Sequence, residues 1–82
     1  MNKPTKKVDY YEDGSISYEA YYLNDKRHRI DGPAYISYYE NGSISYEAYY
    51  LNDKKLTKEE FLASKEHQNY LADLEIERML DE

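Results

Sequence analysis

Residues 10–26 read YYEDGSISYEAYYLNDK, and residues 38–54 read YYENGSISYEAYYLNDK. Sixteen of the seventeen positions are identical, the one change being Asp13 to Asn41, and the copies start 28 residues apart. Each copy contains a weaker half-repeat, because a turn signal follows a Tyr-Tyr pair four times: at Asp13-Gly14, Asn24-Asp25, Asn41-Gly42 and Asn52-Asp53. Asp-Gly and Asn-Gly are strong hairpin signals, since a type I′ turn needs positive φ at both central residues. Asn-Asp is a weaker version of the same signal.

Between these turns the residues are Tyr, Ile, Ser, Val and Ala in strand-like alternation. The pattern predicts strands near 7–12, 15–23, 26–29, 34–40, 43–51 and a stub at 54–56, with Asp31-Gly32-Pro33 separating the copies. A two-residue turn at 13–14 sets Tyr11 across from Ile16 and Asp9 across from Tyr18. One face then carries Tyr11, Ile16, Tyr18, Ala20 and Tyr22, with Tyr39, Ile44, Tyr46, Ala48 and Tyr50 equivalent to them. The other carries Val8, Tyr10, Ser17, Glu19, Tyr21 and Leu23, then Ile36, Tyr38, Ser45, Glu47, Tyr49 and Leu51. Neither face is a dry aliphatic core. The expected fold class is mainly β with a C-terminal α segment: a single-layer β-meander of two 28-residue hairpin repeats plus one or two helices.

Thr57-Lys58-Glu59-Glu60 has the form of a capping box, Thr57 at the N-cap and Glu60 three residues on. No Gly or Pro follows, so a helix can run to Leu80. Phe61, Leu62, Ala72, Ile76, Met79 and Leu80 form one stripe, interrupted by Lys65 and Asn69; Tyr70, Leu71 and Leu74 form another. One continuous helix would bury the first stripe on the sheet and offer the second to a partner. The alternative is a break near residues 66–69.

The chain has 82 residues, room for one small domain. Three segments are expected: a basic N-terminal tail at 1–7, the two-repeat meander at 8–56 and an acidic helical segment at 57–82. The net charge is −6, which argues against nucleic acid and anionic membranes as direct partners. Residues 57–82 hold eight acids and three bases, so the acidity is concentrated at the C-terminal end. The absence of cysteine and of an apolar leader or membrane-length run points to a reducing, cytoplasmic compartment. Asn41-Gly42-Ser43 fits the glycosylation pattern and is read as a turn.

Enzyme chemistry finds little support. The chain has no cysteine, and Ser17 with Ser45 and Glu19 with Glu47 recur at equivalent repeat positions, as packing residues do. Asp25, His28 and Asp31 lie three residues apart and could converge on a divalent metal. Turn chemistry accounts for both aspartates without one, so no metal and no cofactor is expected.

Tyrosine is the compositional anomaly, with twelve Tyr, one Phe and no Trp. Tyrosine gives large contact area at low entropic cost and is enriched in interfaces. The candidate partner-binding residues are Tyr18, Tyr21, Tyr22, Tyr46, Tyr49 and Tyr50, with Asp73, Glu75 and Glu77 as an acidic prong for a basic groove. Lys26, Arg27 and Arg29 form a candidate anion-binding cluster.

Tyr38-Tyr39-Glu40-Asn41-Gly42, the following Tyr-Tyr-Leu-Asn-Asp-Lys, and His28-Arg29-Ile30-Asp31-Gly32-Pro33-Ala34 together resemble a divergent MORN-type repeat over residues 8–56. Similar repeats occur in antitoxin-like bacterial proteins and in proteins of phages and giant viruses. The resemblance implies an elongated β-meander used as a platform for protein contacts, and it carries over no catalytic residue. The usual pattern is richer in glycine than this chain, which has Gly14, Gly32 and Gly42; with the net charge, that weighs against lipid binding. The expected function is a small, non-catalytic protein-binding module of phage type that inhibits a host enzyme or defence complex. The alternatives are an antitoxin for a cognate toxin and a sponge for a small anionic nucleotide signal. A homodimer is expected to help a two-repeat array cover its edges.

Overall fold

The computed structural model describes residues 3–80. Two residues of the expected basic tail, and Asp81 and Glu82 at the acidic end, lie outside the described residues. The chain forms β1 (Thr5–Tyr10), β2 (Ile16–Leu23), β3 (Lys26–Arg27), β4 (Tyr35–Tyr38), β5 (Ile44–Leu51), β6 (Lys54–Leu56), α1 (Lys58–Ala63) and α2 (Lys65–Leu80). This is an open antiparallel meander in the order β1-β2-β4-β5-β6, with β3 also paired to β2. β1 begins inside the expected tail, because Thr5 and Lys6 pair with Tyr22 and Tyr21.

The middle strand position is filled by two pieces of chain. β3 pairs with the end of β2, Tyr22 facing Arg27, and β4 pairs further back along it, Ala20 facing Tyr35. The pieces meet at Tyr21, whose carbonyl accepts from His28 N–H (3.0 Å) and whose N–H donates to the Ala34 carbonyl (2.9 Å). Residues 29–33 bow out between them. On the other side, Ala34 N–H donates to the Ala48 carbonyl (2.9 Å) and Arg29 N–H to the Tyr50 carbonyl (3.2 Å). The end of the first repeat and the start of the second thus share one strand position.

The turns invert the expected assignment. Asn24 (φ 52°) and Asp25 (φ 64°), and Asn52 (φ 50°) and Asp53 (φ 68°), have the paired positive φ of a type I′ turn. At the glycine turns only Gly14 (φ 90°) and Gly42 (φ 91°) are left-handed. There Gly14 N–H donates to the Tyr11 carbonyl (3.0 Å) and Tyr11 N–H to the Ser15 carbonyl (2.8 Å), a three-residue loop closed by a glycine bulge. Asp13 favours this form because its Oδ1 accepts from both the N–H (2.9 Å) and the Oγ (2.6 Å) of Ser15. The register consequently slips beyond Asp9: Asp9 faces Tyr18 as expected, but Ile16 faces Tyr10 rather than Tyr11.

The capping box forms, Glu60 N–H donating to Thr57 Oγ1 (3.1 Å) and Thr57 N–H to Glu60 Oε1 (2.9 Å). The helix is not continuous: it breaks at Ser64, earlier than the 66–69 of the alternative reading. Ser64 is extended (φ −67°, ψ 149°) and its Oγ donates to the Phe61 carbonyl while accepting from His67 N–H. One serine closes α1 and caps α2. The break turns Phe61 and His67 toward the same place: Tyr49, Phe61, His67 and Tyr70 stack in series at centroid distances of 4.7, 4.7 and 6.1 Å. It also leaves the expected first stripe of α2 off the sheet. Tyr70, half-buried, and Leu74, still partly exposed, line a groove against the sheet, whereas Ile76, Met79 and Leu80 stand further out in solvent.

The aliphatic and aromatic core is small: Ala20, Ala34, Ile36, Ala48, Leu51 and Phe61 are buried. Burying Phe61 contributes about 1.5–3 kcal/mol. On the helix side, Glu19 is also buried; its carboxylate takes Lys6 Nζ (2.8 Å) and the Tyr38 hydroxyl. These two contacts hold the Glu19 carboxyl below its ordinary range, and the carboxylate, with burial, pushes the Tyr38 hydroxyl up to about 12. Glu47, at the equivalent repeat position, is exposed.

Two predictions follow this architecture. Glu19→Gln is expected to cost about 1–2 kcal/mol, allowing for the half-exposed Lys6, while Glu47→Gln stays within about 0.5 kcal/mol. The Glu19 contribution is full above the ordinary carboxyl pKa of 4.5 and is lost as pH falls through the lowered folded value. Urea midpoints at neutral and acid pH should therefore converge for wild type and Glu19→Gln. At the turns, Asp25→Gly is expected to raise stability by about 0.5–1 kcal/mol by relieving a left-handed aspartate. Asp53→Gly should give no such gain, because Asp53 Oδ1 accepts from Arg27 N–H (2.7 Å). Equal effects of the two substitutions on the urea midpoint would contradict that account.

Candidate functional site

The registers divide the tyrosines between two faces. Tyr18, Tyr22, Tyr46 and Tyr50 share one face with Ala20, Arg27, Tyr35, Ala48 and Lys55. Tyr21 and Tyr49 lie on the other face, with the helices. Tyr49 packs on Phe61, and Tyr21 lies under the Arg29 guanidinium at 4.1 Å. The six candidate tyrosines therefore do not form one surface.

On the helix-free face the rings form a ladder across the strands. Tyr18 stacks on Tyr35 at 5.8 Å with planes 19° apart, and Tyr35 meets Tyr46 at 6.2 Å. Tyr35 is flanked in register by Ala20 and Ala48, whose small side chains leave room for a ring and are themselves buried. The Arg27 guanidinium lies 5.5 Å from the Tyr35 centroid and 5.3 Å from that of Tyr50, and donates to the Tyr50 hydroxyl (3.4 Å). Hydrogen bonding to Tyr22 and then Tyr50 outweighs burial and raises the Arg27 pKa. Lys55 sits over Tyr46 at 5.6 Å. Each cation is held by rings, so the face presents π surface, hydroxyls and fixed positive charge together. Tyr46 remains exposed at its edge.

Tyr35 and Lys55 were absent from the sequence-derived set. Tyr35 stands where the repeat places Lys7, so repetition does not mark it; its signal is the pair of alanines facing it. Lys55 is the repeat equivalent of Arg27, and that correspondence was readable.

The basic cluster does not converge. Lys26 is exposed beside the turn, Arg27 belongs to the tyrosine ladder, and Arg29 binds Asp31 Oδ1 (2.6 Å) and the Pro33 carbonyl (3.1 Å) on the opposite face. Nor do Asp25, His28 and Asp31 gather: His28 Nδ1 accepts from Asn52 N–H (3.1 Å), which braces the second type I′ turn. Among the described residues no group of three His, Asp or Glu is placed to hold a metal ion. The other histidine takes the reverse role, His67 Nδ1 donating to the Ile30 carbonyl (2.8 Å) and tying α2 to the inter-repeat bow.

The acidic candidates also separate. Asp73 and Glu77, one turn apart, line the groove of about 490 Å³ between α2 and the sheet, together with Tyr21, Arg29, Tyr70 and Leu74. Glu75 is outside that lining, and all three carboxylates are exposed. No helix is long and apolar enough to cross a membrane among the described residues.

No protein-family model matches the chain, and neither a curated protein nor a solved structure gives a significant match.

Proposed function

We propose that the chain is a non-catalytic protein-binding module whose recognition surface is the helix-free tyrosine face. The observation that carries this reading is the ladder Tyr18–Tyr35–Tyr46, with Arg27 and Lys55 set among its rings, on a face that no helix covers. Tyrosine and arginine dominate binding hot spots, and rings already stacked in the free protein lose little freedom on docking. The form of activity we propose is inhibition: the face seats on an enzyme or defence complex of a host and blocks it sterically. The acidic α2, with Asp73, Glu75 and Glu77 exposed, would speed encounter with a basic target. A cysteine-free chain of this composition suits action in the cytoplasm.

The test is capture of a stoichiometric protein by the immobilised full chain from nuclease-treated bacterial lysate, then titration of the purified pair. Tyr18→Ala and Tyr46→Ala, each with an unchanged circular dichroism spectrum, are expected to weaken binding by about 30-fold or more. Neutralising Asp73, Glu75 and Glu77 together should slow association and leave dissociation nearly unchanged. Undiminished affinity in both tyrosine variants would remove this face from the interface.

A further inference from the structure

The octapeptide Ile-Ser-Tyr-Glu-Ala-Tyr-Tyr-Leu occurs as β2 and again as β5, in two different environments. In β2, Ser17 and Tyr18 are half-buried and Glu19 is buried; in β5, Ile44, Ser45, Tyr46 and Glu47 are all exposed. The sequence is the same, so the difference is one of neighbours. β2 has β1 on one side and β3 with β4 on the other. β5 has β4 on one side, but on its other side β6 pairs only with Tyr49, Tyr50 and Leu51. The chain leaves for α1 at Thr57, the equivalent of Arg29, where in the first repeat the bow that leads to β4 begins.

The unpaired groups can be named. The Ala48 carbonyl accepts from Ala34, so the polar groups of Ala48 point toward β4. Strand alternation turns those of Glu47 the other way, onto the free edge, while at Ser45 a bulge opposite Ser37 breaks the alternation. In the first repeat the equivalent edge of β2 is occupied by β4, Glu19 facing Ile36. The repeat also names the strand that fits. Val8 is the equivalent of Ile36 and Tyr10 of Tyr38, so β1 is a second version of β4, and it pairs on one side only. The polar groups of Tyr21 point toward β4, so those of Ala20 and Tyr22 point toward β1, leaving Lys6 and Val8 to face outward.

We propose that a second copy of this chain adds its β1 to the free edge of β5, its Val8 opposite Glu47 and its Tyr10 beside Ser45. The repeat then continues from one molecule into the next. At the top of the position Tyr49 is already paired in register with Leu56, so the added strand begins at Lys7, beside Ala48. Thr5 and Lys6 of the added copy must turn aside, because β6 lies beside Tyr49 and Tyr50. This arrangement also avoids the cost of an edge-to-edge β1 dimer, in which two β1 strands would set lysines against lysines. Such an interface is heterologous and does not close on itself, so the product is a run of molecules rather than a dimer. The inference is independent of the tyrosine face, which remains free in the assembly.

Light scattering after size-exclusion chromatography tests it. The wild-type mass should rise with concentration up to about 1 mM. Glu47→Pro and Val8→Pro each delete one outward N–H on opposite edges and leave the inner ladder bonds intact. Each variant alone is expected to run as a single chain. Their equimolar mixture should give twice that mass and stop, since one offers an intact β1 and the other an intact β5. Where circular dichroism shows one proline variant unfolded, Val8→Glu, which sets a carboxylate against Glu47, replaces Val8→Pro, or Glu47→Lys replaces Glu47→Pro, and is read the same way. Wild type that stays a single chain throughout, a variant that still assembles alone, or a mixture that fails to pair each overturns the proposal.

Discussion

The fold depends on backbone pairing in one strand position that two repeats share. β3 ends the first repeat and β4 begins the second, yet both lie between β2 and β5. The join is made by mutual contacts: Arg27 N–H donates to Asp53 Oδ1 (2.7 Å), and Asp53 N–H donates to the Arg27 carbonyl (2.9 Å). His28 adds a third tie through Asn52 N–H. Neither hairpin has an aliphatic core of its own to close on. Ala20, Ala34 and Ala48 are buried because strands and rings meet around them, not because they are large. Ladder bonds and cross-strand tyrosine pairs, each worth about 0.2–1 kcal/mol, therefore hold what a larger domain would assign to its core.

That arrangement fixes what the helices can cover. The bow at residues 29–33 carries the Ile30 carbonyl to His67 and sets the Arg29 guanidinium on Tyr21. α2 is anchored there, near its N-terminal end, and α1 is anchored by Phe61 on Tyr49. Both anchors lie on one face. The opposite face is left to its own side chains, and tyrosine suits that position: the rings shield the alanines and one another while their hydroxyls stay near water. Arg27 completes the packing between Tyr35 and Tyr50 without losing its charge. The same feature that stabilises a sheet without a second layer gives it the composition of a recognition surface.

The strands, their meander order and the Thr57–Glu60 cap were legible because the repeat and the cap are local patterns. The pairing of Asp9 with Tyr18 was legible too, and its neighbour was not. The Asp13 carboxylate lengthened the loop by bonding Ser15, which a count of turn residues does not register. The Asn-Asp turns outranked the glycine turns for a related reason. Asp53 is held by Arg27 from the first repeat, a tertiary contact that stabilises a backbone shape the dipeptide alone only tolerates. Ser64 looked like an ordinary helix residue because the cue, an Oγ bonded to Phe61 and His67, exists only once the helix has broken. The candidate tyrosines were identified as a class, but alternation assigns a residue to a face without saying which face the helix will take. The destination of Phe61 decided that, and with it the separation of Tyr21 and Tyr49 from the other four.

Two identical octapeptides in one small chain separate sequence from surroundings within a single molecule. Glu19 and Glu47 have the same neighbours in sequence, yet Glu19 is buried, bonded to Lys6 and Tyr38 and shifted in pKa, whereas Glu47 is exposed. Tyr18 is half-buried against Tyr35 while Tyr46 stands at the margin of the ladder under Lys55. Nothing intrinsic to the peptide accounts for either contrast. The environment of β2 is therefore what this sequence does when both edges are paired, and β5 is the same sequence with part of one edge left open. An array built by repetition carries the instructions for its next strand in the strand it already has. Its length is limited where the chain departs from the repeat, after Leu56, and not by any property of the strand at the end.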